Sequence, residues 1–226
     1  MLIVAIDTSG RNGSVALCRG DAAEFDVIGL ATLEGGTYSA RLVPCIADLL
    51  AGAQLTKSQI DGLVVVDGPG SFTGLRVGLS TVKALCEALR KPLAVVSMLE
   101  ALAVTYGHDG EVVNAVLDAG RGELYVGEFE ITNRRAQLKR QSIPKLTEFL
   151  SQLPSLKSRI VTTFPKLAED RAAADDKVKL VKPLQADANG RIGLRKLLAA
   201  EFADPATLDA NYIRRSDAEL FSLPKH

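Results

Sequence analysis

Two acids in this chain each close a run of apolar residues. Leu2-Ile3-Val4-Ala5-Ile6 ends at Asp7, and the apolar stretch 111–117 ends at Asp118. An acid at the end of a buried strand can hold a metal-bound water while nearby hydroxyls and backbone N–H groups receive phosphate. Asp7-Thr8-Ser9 has that composition. Two such turns on facing hairpins would flank a cleft suited to phosphate chemistry. The plainer reading is that aspartate terminates strands and caps turns. A third segment, Asp67-Gly68-Pro69-Gly70-Ser71-Phe72-Thr73-Gly74-Leu75-Arg76-Val77-Gly78, empties a strand into a Gly-Pro-Gly turn, after which Ser71 or Thr73 can cap a helix. Free N–H groups at such a terminus favour an anion. No Gly-Lys-Ser/Thr follows, so this is not a Walker loop. Gly74 and Gly78 equally suit a packing turn that needs close helix approach. The candidate phosphate-turn residues are Asp7, Thr8, Ser9, Gly68, Gly70, Ser71 and Asp118.

Metal chemistry has few ligands to use. The histidines are His108, in a polar glycine-flanked stretch, and His226, so no i, i+4 pair exists, and no thiol lies close in sequence to either. No metal site is expected. Cys18, Cys45 and Cys86 form no Cys-x-x-Cys pair, so neither a zinc knuckle nor a disulfide framework is suggested, and they suit buried thiols in a reducing cytoplasm. Lys plus Arg equals Asp plus Glu at 27 each, and aromatic residues make up 5%. No net field therefore recruits nucleic acid or anionic membrane, and no basic–aromatic platform is available for direct RNA binding. The first residues run straight into Asp7, too soon for a signal-peptide core, and no apolar run approaches the roughly 20 residues that span a bilayer. A cytoplasmic protein without a membrane partner is expected.

The elements that must position these residues read as one plan used twice. In the first half, strands are expected over 2–6, 13–19 and 23–30, a helix over 37–51, a strand over 62–66, a helix over 73–89 and a strand over 92–96. In the second half, strands fall at 111–117, 124–131 and 136–143, a helix at 144–153, a strand at 160–163, a helix at 165–174, a strand at 179–181 and a helix at 190–202. Three antiparallel strands followed by parallel strands with helical crossovers describe a ribonuclease H-like unit. The fold class is α/β, two tandem βββαβα units, the architecture of actin-like ATPases, sugar kinases and Hsp70. At 226 residues each half can bury a core of its own. The division is expected at Gly107-His108-Asp109-Gly110, giving a first lobe 1–106 and a smaller second lobe 107–226 whose last segment can pack back on the first.

Two helices of the first lobe carry unusually broad apolar girdles. Helix 37–51 has Leu42, Ile46 and Leu49 on one stripe, and helix 73–89 has Leu75, Leu79, Val82 and Cys86. A girdle wider than one face implies burial on two sides. These seven residues are the candidate partner-binding set, with coverage by the chain's own second lobe as the alternative.

Several of these motifs resemble the bacterial TsaB family. The resemblance rests on Asp7-Thr8-Ser9 with Gly13-Ser14-Val15-Ala16-Leu17, on the glycine-rich run from Gly68 to Gly78 with Lys83-Ala84, on Asp118-Ala119-Gly120-Arg121-Gly122-Glu123-Leu124-Tyr125, and on the late Asn211-Tyr212-Ile213-Arg214. It spans nearly the whole chain. It implies a non-catalytic dimerization subunit in the making of threonylcarbamoyladenosine in tRNA. The implied partners are a catalytic TsaD-like subunit of the same fold and a TsaE-like ATPase, with homodimerisation when alone and tRNA met only through the complex. Threonylcarbamoyl-AMP would be the donor. Catalytic relatives carry a His-x-x-x-His pair on the first helix, where this chain has Tyr38-Ser39-Ala40-Arg41-Leu42. Nucleotide-binding relatives place glycines after a strand of the second half, where this chain has Ile160-Val161-Thr162-Thr163-Phe164-Pro165. ATP and metal are thus expected to belong to the partner subunits, not to this chain. The competing reading is a stand-alone ATP-dependent kinase or a glycoprotease-like metallopeptidase of the same fold, which both absences disfavour.

Overall fold

The computed structural model describes residues 1–169 and 177–211. Contacts divide the chain into two units, Met1–Ala101 with Pro183–Ala210, and a second containing Leu102–Lys182. The boundary between the units falls between Ala101 and Leu102, and Pro183–Ala210 belongs to the first unit.

The first unit holds strands β1 (Leu2–Asp7), β2 (Gly13–Gly20), β3 (Phe25–Leu33), β4 (Gly62–Gly68) and β5 (Leu93–Ser97), in the order β3-β2-β1-β4-β5. The first three pair antiparallel; β1, β4 and β5 run parallel. Helices α1 (Tyr38–Gly52) and α2 (Phe72–Leu89) supply the crossovers, and α3 (Met98–Tyr106) follows β5. The second unit repeats the plan with β6 (Val112–Gly120), β7 (Glu123–Thr132), β8 (Arg135–Ser142), α4 (Leu146–Gln152), β9 (Arg159–Thr162), α5 (Pro165–Glu169) and β10 (Val178–Leu180), in the order β10-β9-β6-β7-β8. Its core gathers Val116, Leu124, Val126, Phe149, Leu153, Ile160 and Leu167.

Helix α6 (Ala186–Leu198) explains why β1 is buried along its whole length. It packs on β1, β2, β4 and β5, leaving the other face of the sheet to α1 and α2. A strand covered on both sides carries a continuous apolar run, not an alternating one. The close seat needs glycine: a Cβ on Gly193 would lie 2.3 Å from Val64 Cγ1, and one on Gly190 3.2 Å from Ala5 Cβ. The helix expected over 190–202 runs from Ala186 to Leu198, with Gly190 inside it. The start is set by a long-range contact, Ala186 N donating to Ser14 Oγ at 2.8 Å.

The same region closes one edge of the sheet. On β5, Leu93 O accepts from Ala203 N at 2.8 Å and Val95 O accepts from Lys196 Nζ at 2.9 Å. At the other edge, β3 leaves Val27, Ile28 and Leu30 exposed, but its pairing with β2 shifts register beside Ile28. A bulge there discourages another strand from pairing. Helix α3 was absent from the sequence reading. Leu99, Ala101, Leu102 and Ala103 are all fully buried, so its residues show no polar face to mark helical periodicity. The expected helix 165–174 is described only as far as Glu169. The Asn211-Tyr212-Ile213-Arg214 motif beyond Asn211, and His226, lie outside the described residues. Among the described residues no helix is long and apolar enough to cross a membrane.

Candidate functional site

The turn after β1 is built from four directions. Asp7, the last residue of β1, is 4% exposed. Its Oδ1 accepts from Ser9 N at 2.9 Å and Ser9 Oγ at 2.6 Å, and its Oδ2 accepts from Asn189 Nδ2 of α6 at 3.4 Å. Tyr38, at the start of α1, donates its hydroxyl toward Gly10 O and Arg11 O, each at 3.1 Å, and pins the β1–β2 loop. The fourth wall is the N-terminus of α2.

That wall packs directly against the turn. Ser71 N donates to Ser9 O at 2.7 Å, and Gly74 N donates to Ser71 Oγ at 3.3 Å, so part of the helix terminus is spent on its own chain. A Cβ on Gly70 would lie 2.3 Å from Ser9 O, one on Gly74 2.1 Å from Thr8 O, and one on Gly78 2.2 Å from Thr8 Oγ1. Thr8 has no exposed surface. Of the two readings of the glycine-rich run, the packing turn is the one realised. Asp7, Thr8, Ser9, Gly70 and Ser71 are brought together, with Gly68 closing β4 beside them, but as a contact between backbone segments and not as an open cradle.

Burial pushes the Asp7 carboxyl above its usual range, against the lowering effect of its bonds from Ser9 and Asn189. Among the described residues no cation pairs with it, so it is held mainly by neutral donors. Asn189 Oδ1 is buried without a partner. Asp7→Asn is therefore expected to leave stability at pH 7 within about 1 kcal/mol of the parent or above it. A half-turn of the Asn189 amide would offer its unpaired oxygen to the new Nδ2. A carboxyl with a raised folded-state pKa contributes stability that is complete below its unfolded value and is lost as pH rises through the folded one. The advantage of Asp7→Asn should therefore grow in urea titrations as pH rises above the unfolded carboxyl value of ~3.9. A large loss at every pH would mean that the charge itself is required.

Asp118 belongs to the second unit and is exposed. Its Oδ1 accepts from Gly120 N at 2.8 Å, which makes it the cap of its own turn. The turn after β9, where nucleotide-binding relatives place glycines, is also filled. Phe164 N donates to Thr162 Oγ1 at 3.0 Å, and the Phe164 side chain packs on the core of this unit. Asp118 thus caps one of these turns, and Thr162 holds the other. Among the described residues no group of three or more His, Cys, Asp or Glu could hold a metal ion.

The predicted partner-binding stripe requires correction. Leu42, Ile46, Leu75, Leu79, Val82 and Cys86 are buried within the chain, and Leu49 is half-buried. They face their own sheet and each other because burying the largest apolar side chains is worth most. Beside exposed Arg41 and Asp48 on α1 and Phe72, Arg76 and Glu87 on α2, one side of each helix exposes small residues: Ala40, Val43, Pro44, Ala47 and Ala51 on α1, and Ser80, Ala84 and Ala88 on α2, with Val77 and Thr81 half-buried. Their spacing places each set on one side of its helix, and the two helices pack together. Asn189 and Tyr38, which complete the turn, were missed by sequence reading. Only the pair Gly190 and Gly193 hinted that α6 approaches a sheet.

A protein-family model described as "TsaD: tRNA N6-adenosine threonylcarbamoyltransferase" matches residues 35–204. The tRNA threonylcarbamoyladenosine biosynthesis protein TsaB of Bacillus subtilis is 35% identical over 133 residues, 59% of this chain and 57% of that protein. The proteins of the same description in Haemophilus influenzae and Escherichia coli are 34% and 33% identical over 131 and 134 residues, 57% and 58% of this chain and 53% and 55% of theirs. The matched region thus spans little more than half the length of these relatives. The solved structure of YeaZ from Pseudomonas aeruginosa superposes with a TM-score of 0.73 at 22% identity, covering 94% of this chain and 99% of that one. At that identity the likeness speaks for the fold alone, an α/β chain of two similar halves.

Proposed function

We propose that this chain, which belongs to the TsaD family of tRNA N6-adenosine threonylcarbamoyltransferases as a TsaB-type member, serves threonylcarbamoyladenosine formation in tRNA as a non-catalytic subunit that binds a catalytic relative. The observation that carries this reading is the pairing of a filled turn with a bare helix face. The fold keeps the acid, the hydroxyls and the glycine-rich run of a phosphate site, yet packs them into a solid contact. On the same unit, α1 and α2 turn a strip of small side chains to solvent. Small residues let the backbones of another helix pair come close, so the strip suits a four-helix packing.

In this reading a TsaD-like subunit supplies the transfer chemistry and the metal, a TsaE-like ATPase supplies hydrolysis, and tRNA is met through the complex. In isolation the chain pairs with itself through the same face, because an uncovered strip of this kind favours association. It works in the cytoplasm, where the tRNA modified by the complex is found. A stand-alone kinase or metallopeptidase would need an open phosphate turn or a ligand cluster, and the described residues offer neither.

Reconstitution tests the reading. Transfer of a threonylcarbamoyl group to tRNA is expected only when this chain, its TsaD-like partner and the ATPase are mixed, and not with this chain alone. Purified chain should bind ATP no more tightly than millimolar in calorimetry and should hold no stoichiometric zinc or iron. Transfer by this chain alone, or full activity of the other two without it, would overturn the assignment.

A further inference from the structure

The C-terminal end of β4 carries a group that the filled turn does not use. Asp67 stands one residue before Gly68, and its Oδ1 is buried with no hydrogen-bond partner. Asp67 lies on the β4–β5 ladder between Val66, paired with Val96, and Gly68, paired with Ser97. At that end of β5, Lys196 of α6 forms an ion pair with Glu100 in the first turn of α3, Nζ to Oε2 at 2.7 Å, and its Nζ also donates to Val95 O at 2.9 Å. Both side chains of that pair are largely shielded, at 23% and 17% exposed. Glu100 Oε2 accepts in addition from Ser97 N at 3.4 Å.

One ammonium thus stands among two carboxylates. Among the described residues β4 and β5 contain no other charged residue; α6 carries Asp187, Arg191 and Arg195 besides Lys196, with Arg191 over the Phe25 ring at 4.4 Å, and the first charge on α2, Arg76, lies over the Phe72 ring at 3.8 Å. With Asp67 protonated the group is balanced, one lysine to one glutamate, and Asp67 can offer a hydrogen instead of an unpaired buried oxygen. With Asp67 ionised the group carries a surplus negative charge, and the two carboxylates compete for Lys196. Every shift of Lys196 toward Asp67 comes at the expense of its bond to Val95 O. That bond, with Ala203 N to Leu93 O, closes the outer edge of the first sheet.

We propose that Asp67, Glu100 and Lys196 form a proton-sensitive latch that fastens the C-terminal turn of α6 to β5, closed when Asp67 holds its proton and loosened when the proton leaves. Burial pushes the Asp67 carboxyl up to about 7, with Lys196 lowering it and Glu100 raising it. A carboxyl raised in the folded state stabilises fully below its unfolded pKa of ~3.9 and loses that contribution as pH rises through its folded value. The latch therefore loosens across neutrality, in the direction of alkali.

Thermal unfolding of the full chain between pH 5 and 8.5 tests this, together with the carbon-13 shift of the Asp67 carboxyl. The parent melting temperature is expected to fall by about 3 °C between pH 6 and pH 8. Asp67→Asn should abolish most of that fall and melt above the parent at pH 8. Two further variants should move the Asp67 titration in opposite directions. Glu100→Gln frees Lys196 and lowers it, whereas Lys196→Met removes the cation and raises it. An Asp67 carboxyl that titrates near 4 would overturn the latch. So would an unchanged pH slope in Asp67→Asn, or shifts of the same sign in Glu100→Gln and Lys196→Met.

Discussion

Gly78→Ala should destabilise the chain by about 2 kcal/mol, and Thr8→Ala should restore most of the loss. The new Cβ would sit 2.2 Å from Thr8 Oγ1, while Thr8 Cβ and Cγ2 are at 3.5 and 3.6 Å. The hydroxyl oxygen alone makes the clash. It is also buried without a hydrogen-bond partner, so Thr8→Ala by itself removes an unpaired polar atom and is expected to be nearly neutral. In the double variant alanine's helix preference over glycine, roughly 1 kcal/mol, works unopposed. Gly74→Ala is the contrasting case. Its Cβ would meet Thr8 O at 2.1 Å, a backbone atom that no substitution at Thr8 removes, so the loss should persist in the Thr8→Ala background. Urea unfolding of the parent and the five variants gives both cycles directly. If Thr8→Ala rescued Gly74→Ala as well as Gly78→Ala, the close seat of α2 on the turn would be wrong.

This contact also shows how far the chain could be read from its residues. The strands at 2–6, 13–19 and 62–66 were legible because continuous apolar runs between turn residues suit strands covered on both faces. Helix α2 was legible from Ser71 and the glycines that follow. The state of the turn was not, because local composition is the same whether Asp7-Thr8-Ser9 is open or filled. What decides is the arrival of Gly70, Gly74 and Gly78 from one side and of Asn189 from the other. Asn189 is distant in the chain, and its segment offered no pattern stronger than two glycines. Asp67 was read only as the residue before a turn, since neither Glu100 nor Lys196 is near it in sequence.

The girdled helices misled for a different reason. Periodicity told that α1 and α2 were apolar over more than one face, and it could not say which stripe met the sheet. Choosing the largest residues as the partner surface inverted the physics. Leucine and valine gain most from burial in the chain's own core, so they are drawn inward first. The face left for a partner is then made of what is small enough to remain in water at little cost. Val43, 53% exposed, is the largest aliphatic side chain on that face.

A charge placed on the small-residue face should separate binding from folding. Ala47→Glu on α1 and Ala84→Glu on α2 both replace exposed residues, so circular dichroism and melting temperature should stay close to the parent. If the strip is where the TsaD-like partner docks, each glutamate would be carried into a packed helix contact without a counter-charge. A penalty of about 2–4 kcal/mol is expected there. That corresponds to a loss of roughly 30- to 1,000-fold in affinity by titration calorimetry. The association of the chain with itself should weaken in the same variants, because both complexes use one surface. Leu42→Glu and Leu79→Glu are the internal contrast. At 1% and 4% exposure they put the charge into the core, and they should unfold the first unit before any partner is added. The two classes of variant must therefore fall apart on two measurements, binding lost with fold kept, and fold lost outright. Full-strength binding by Ala47→Glu and Ala84→Glu together would mean that the partner sits elsewhere, and the small strip on α1 and α2 would no longer support the subunit reading.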